Sequence, residues 1–187
     1  MNDPVGDPGW GPVIRRLPVL VIPVVGMMRM TRETNGLVAM RILWVVFVNA
    51  VALIGVVVIV LGGELDGTID SSLALGVTGS VGVLAQLVGA RFIREADVSS
   101  VAAFVPTFQR WFFTRVALAE AAAFLGLVMF ILSASRLVYV VGAVIAFAGM
   151  VDAAPSARRL AGLQKKADAE GGGLEVLAAL QQGGLSH

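Results

Sequence analysis

Glu120 lies inside "RVALAEAAAFLGLVMFIL", residues 115–132, where it is the only ionisable group after Arg115. Placing an ionised carboxylate in hydrocarbon costs about 2–3 kcal/mol on insertion scales. Three arrangements lower that cost: protonation, pairing with a cation or hydrogen-bond donor, or exposure to a water-filled crevice. A carboxyl that gains and loses a proton is a proton or cation site, whereas one held in a fixed hydrogen bond joins helices. Arg115 is five residues back, about 140° around the same helix, and so is a poor partner. Gln86 lies five residues before Arg91 on another apolar stretch, at a depth matching that of Glu120. Asn49 lies eight residues after Arg41 on a third stretch, somewhat deeper. Glu120, Gln86 and Asn49 are the candidate intramembrane polar site. Its expected resting form is a neutral Glu120 carboxyl hydrogen-bonded to Gln86.

The rest of the reactive inventory is thin. The chain has no cysteine, which removes disulfides, thiolate nucleophiles and cysteine-ligated metals. The single histidine, His187, rules out histidine dyads and paired-histidine zinc motifs. No catalytic residue, metal site or cofactor is therefore expected. Glu64, Asp66 and Asp70 in "GGELDGTID" read as a solvated turn, since their spacing does not fit a calcium-binding EF-hand loop. Asp152 reads as an interfacial residue near Arg158 and Arg159.

These residues are carried by unusually apolar segments. Of 187 residues, 57% are hydrophobic and 14% charged, with a mean hydropathy of +0.86. Soluble domains carry about 25% charged residues, so lipid is the expected surroundings. The net charge of +1 leaves no footprint for nucleic acid. Uncharged runs predict membrane-spanning helices at about 42–62, 72–91, 113–133 and 137–154, because a span needs about 20 residues and its backbone must bond itself. The fold class expected is all-α: an integral membrane four-helix bundle with a short N-terminal interfacial segment and a cytoplasmic C-terminal amphipathic helix. The corresponding division is 1–40, 41–155 and 156–187.

Topology follows from the basic residues. Thirteen of fourteen fall before the first span, between the second and third, or after the fourth; only Arg136 falls elsewhere. The positive-inside rule therefore puts both termini and the 91–115 loop in the cytoplasm, with the protein multi-pass in the cytoplasmic (inner) membrane. "SASR" is short enough to make spans three and four an antiparallel hairpin. Leu17 to Met28, interrupted by Pro18 and Pro23, is too short to span and is expected at the interface. The tail "APSARRLAGLQKKADAE" predicts a basic helix starting near Pro155 or Ser156 and broken by "GGG" at 171–173. "LEVLAALQQ" then offers one apolar face, as a surface helix or as a docking peptide.

Small residues on span two, Gly76, Gly79, Gly82, Ala85 and Gly89, form a stripe that would let another backbone approach closely. "ALAEAAAFLGLV", 117–128, resembles the carboxylate helix of the rotary ATP synthase c subunit, the proteolipid, through Ala117, Leu118, Ala119, Glu120, Ala121, Gly126 and Leu127. A glycine-rich helix and a polar loop precede that helix in both. The similarity spans about 60 residues. Glycines recur here every third position, and "READ", 94–97, stands in the loop where the family has Arg-Gln-Pro. The whole chain looks like small bacterial four-span membrane proteins with such a central hairpin, whose fourth helix ends in a signature like Pro155, Arg158 and Arg159. The proteolipid resemblance implies that Glu120 corresponds to an ion-carrying carboxylate; the four-span resemblance implies no activity.

The expected function is that of a non-enzymatic integral membrane protein, an accessory or scaffold component. The alternative is proton or cation handling through Glu120, as in a rotary ATPase proteolipid. A lipid-acting enzyme would need paired intramembrane acids, a cysteine or a catalytic histidine; the chain has no such acid pair and no cysteine, and its single histidine is His187. The expected partners are the lipid bilayer and either a second copy or another membrane subunit, with no nucleic acid.

Overall fold

The computed structural model describes residues 6–16, 35–61, 65–93, 95–171 and 173–182. All regular structure among them is helical: α1 (Gly11–Ile14), α2 (Gly36–Leu61), α3 (Ser71–Phe92), α4 (Val101–Ser133), α5 (Arg136–Ala153), α6 (Ala157–Ala169) and α7 (Val176–Gln182). Four of these, α2 to α5, are long and apolar enough to cross a membrane. The interfacial segment expected at Leu17–Met28 and the acidic Glu64 lie outside the described residues.

Helix starts follow ordinary capping chemistry. Asp70 caps α3 by accepting hydrogen bonds from the backbone N–H of Ser72 (2.8 Å) and Leu73 (3.1 Å). This role explains one of the three acids in the predicted turn. The Ser72 hydroxyl first, and then these N–H groups, hold the Asp70 carboxyl below its usual range. Asn35, Ser100 and Ser156 accept comparable bonds at the starts of α2, α4 and α6.

α4 begins twelve residues before the predicted span. Its 33 residues extend about 50 Å, well beyond the roughly 30 Å of hydrocarbon. The added turns contain Pro106, yet Phe104, Phe108, Trp111 and Phe112 recur at helical spacing and are buried. Burial of that aromatic face outweighs the one backbone bond the proline removes.

The described residues divide into two compact units. One comprises those up to Val46, with Glu95–Phe112 and those from Ala154 onward. Its centre is Arg41, fully buried. The guanidinium donates to the Asp7 carboxylate (2.7 and 3.0 Å), to the Gly9 carbonyl (2.7 Å) and to the Pro155 carbonyl (3.2 Å). It also lies 5.2 Å from the centre of the Trp10 ring. Trp10 packs edge-on against Trp44, over a core of Val13, Val38, Ile42, Val45 and Val46. In the same unit α7 docks on α6: Gln164 donates to the Leu174 carbonyl and accepts from the Val176 N–H, both at 2.9 Å, while Leu160, Ala167, Val176 and Leu180 are buried. α7 is thus a helix folded onto its own chain.

The other unit comprises the described residues of Phe47–Arg94 and Phe113–Ala153. α4 and α5 turn back on each other through Ala134, whose φ of 54° is the left-handed conformation. They then run so close that a Cβ on Gly142 would stand 2.6 Å from the Ala122 carbonyl oxygen and 2.9 Å from the Gly126 Cα. α3 runs parallel to α5, with Gly82 against Ile145 and Gln86 against Gly149. α2 is tied to α5 by the Tyr139 hydroxyl, which donates to the Val51 carbonyl (2.5 Å), with Gly55 beneath the ring.

Candidate functional site

Three polar side chains of the second unit, Gln86, Arg115 and Asp152, link α3, α4 and α5. Gln86 Nε2 donates to the Leu118 carbonyl at 3.1 Å, joining α3 to α4. Arg115, only 5% exposed, returns the connection by donating from Nη1 to the Gln86 carbonyl at 3.4 Å. Its Nη2 pairs with the Asp152 carboxylate, joining α4 to α5. Two glycines make room. A Cβ on Gly89 would stand 3.0 Å from Arg115 Nη1, and one on Gly149 would stand 2.5 Å from Gln86 Oε1. The sequence places these small residues opposite the two longest polar side chains of the layer.

The expected Glu120–Gln86 hydrogen bond is not formed, and the geometry gives the reason. α3 meets α4 on the side of Leu118, whose Cδ1 fills the space beside Gly89. Glu120 is two residues further along α4, about 200° around the helix. Gln86 thus meets α4 within two residues of Glu120 but not on its face. Glu120 is half-buried beside the buried Ala119, Ala122 and Ala123, and it makes no hydrogen bond or ion pair with any described residue. Asn49 lies half-buried on α2, bonded to neither Gln86 nor Glu120.

The small-residue stripe divides in the same way. Gly82 and Gly89 are buried against α4 and α5, and Ala85 is half-buried. A Cβ on Gly76 or Gly79 would meet nothing within 4 Å, so those two pack against no described helix.

The Arg115–Asp152 pair was not anticipated. Its signal was present: Arg115 is followed at once by the apolar run of span three, and Asp152 falls in the last turn of α5. Each read as a separate interfacial charge because nothing in one dimension indicates that α4 and α5 turn these residues toward each other. Among the described residues no group of three or more His, Asp or Glu side chains stands close enough to hold a metal ion. The arrangement offers a guanidinium–carboxylate–amide layer and, on another flank of α4, the Glu120 carboxyl, which is bonded to no described residue.

No protein-family model, curated protein or solved structure matches the chain.

Proposed function

We propose that this multi-pass chain is a non-enzymatic accessory or scaffold component of the cytoplasmic membrane, with the basic ends of its spans on the cytoplasmic side. The observation that carries this reading is the Arg115 layer. Gln86, Arg115 and Asp152, on three helices, are engaged with one another's backbone and charge, which makes a fixed frame. The Arg41 cluster does the same for the unit that contains the chain's N-terminal residues. Two rigid units suit a protein whose role is to hold partners in place.

The test is native mass spectrometry of the full chain isolated from its own membranes in mild detergent. A second subunit at fixed stoichiometry supports the scaffold reading. A monomer carrying lipid alone overturns it. Reporter fusions at both ends test the orientation, and a reporter active on the far side would reverse it.

Glu120 favours a second reading, proton or cation handling, because an unpaired carboxyl in an apolar segment is a functional group by default. The proteolipid resemblance points the same way. Under this reading proteoliposomes of the wild type pass protons, and Glu120→Gln stops them. Equal flux in the two would exclude it.

A further inference from the structure

We propose that the outward face of α6 binds the phosphate headgroup of an anionic phospholipid through Arg158 and Lys165.

α6 carries one acidic residue, Asp168, which accepts from Gln164 at 2.8 Å, and four basic residues. The basic residues fall into two pairs, each seven residues apart and so on one helix face. The inward pair is engaged within its own unit. Arg159 lies 4.4 Å over the Trp111 ring, and Lys166 meets Glu95 at 3.4 Å. The outward pair, Arg158 and Lys165, is exposed and has no ion-pair partner among the described residues. Between them lie Ala161 and Gly162, both exposed, and a Cβ on Gly162 would meet nothing within 4 Å. The two cations thus flank a low shelf about 10 Å long.

Three features identify the occupant. First, the apolar side of α6 is covered by α7, so this helix cannot lie in the bilayer by its greasy face and presents only charge. Second, α5 is 18 residues, about 27 Å, which brings its end to the hydrocarbon edge. Arg158 is five residues beyond Ala153, within about 18 Å along even a fully extended chain, and so within reach of the headgroup layer. Third, Arg158 and Arg159 occupy the first turn of α6 with no acidic residue beside them. The helix dipole disfavours cations there; Arg159 is held over Trp111, but helix stability does not account for Arg158, whereas an anionic surface does. The inference rests on α5 crossing the membrane and is independent of the scaffold reading.

Full-length chain in mild detergent is exposed to equal amounts of phosphatidylglycerol and phosphatidylcholine, and the retained lipids are counted by native mass spectrometry. Wild type and Arg136→Gln, which removes a charge at the opposite end of α5, should retain phosphatidylglycerol in about threefold excess or more. The R158Q/K165Q variant should retain the two lipids equally. Both substitutions are at exposed positions, so the fold is kept. Equal retention by the wild type, or an undiminished preference in R158Q/K165Q, would overturn the proposal. Loss of the preference in millimolar inorganic phosphate would assign the face to a soluble anion and overturn the lipid reading.

Discussion

Arg115 on α4 is bonded to Asp152 on α5, and its guanidinium lies against the bare Cα of Gly89 on α3. One side chain therefore registers three helices. The pair is unequal: Arg115 is nearly fully buried, while the Asp152 side chain is 51% exposed.

That inequality sets the order of mutational costs. Asp152→Asn leaves a buried guanidinium without its counter-charge and should cost about 2–3 kcal/mol. Arg115→Met leaves a carboxylate that can hydrate and should cost about 1 kcal/mol. The double variant should recover most of the Asp152→Asn loss. Unfolding of the full chain in mixed micelles measures all three. A larger cost for Arg115→Met would show that the bond to Gln86, rather than the ion pair, dominates the layer.

Glu120 and Gln86 should behave oppositely in the same assay. Glu120→Gln removes no bond and should shift stability by less than about 0.5 kcal/mol. Gln86→Leu loses the bond to the Leu118 carbonyl and should cost about 0.6–1.7 kcal/mol. A cost at Glu120 equal to that at Gln86 would reveal a bonded carboxyl.

Glycines of one sequence type should differ sharply. Gly142→Ala drives a methyl into the Ala122 carbonyl and the Gly126 backbone, neither of which can rotate away, and should destabilise by about 1–3 kcal/mol. Gly76→Ala meets open space and should be neutral or mildly stabilising. Equal effects at the two positions would mean that α4 and α5 do not pack backbone to backbone.

Acid should release the N-terminal segment from Arg41. Hydrogen bonding to the Arg41 side chain holds the Asp7 carboxyl below its usual value of 3.8. A group with a depressed folded pKa stabilises above its unfolded pKa, and that stability is lost as pH falls through the folded value. The clamp is therefore complete at neutral pH, begins to weaken below about pH 4 and opens as pH falls through the lowered folded value. Trp10 emission, or protease cleavage near Gly9, should change on acidification; in Asp7→Asn either should be shifted already at pH 7 and vary little below it. An Asp7→Asn signal identical to wild type at pH 7, or a wild-type signal flat from pH 7 down to the onset of acid unfolding, would sink this assignment.

The presence and approximate place of the four long helices were legible in one dimension. α3 and α5 begin and end within one residue of the predicted 72–91 and 137–154, α2 starts six residues before the predicted 42, and Gln86 does meet α4 within two residues of Glu120. Hydrophobic run length sets where a helix can cross lipid, and a constant rise per residue converts sequence distance into depth. Azimuth is different, because it depends on which flank a neighbour touches, and close glycine contacts decide that. Hence Gln86 bonds the Leu118 carbonyl rather than Glu120, Gly82 packs while Gly76 does not, and Arg115 finds Asp152. The first turns of α4 read as loop because Pro106, Gln109 and Arg110 interrupt the apolar run, and only burial of Phe104, Phe108 and Trp111 makes them helix. The sequence alone determined an all-helical chain with four helices long and apolar enough to cross a membrane. The tertiary structure decided which of its polar side chains face one another, since facing is a property of packed pairs and not of any single helix.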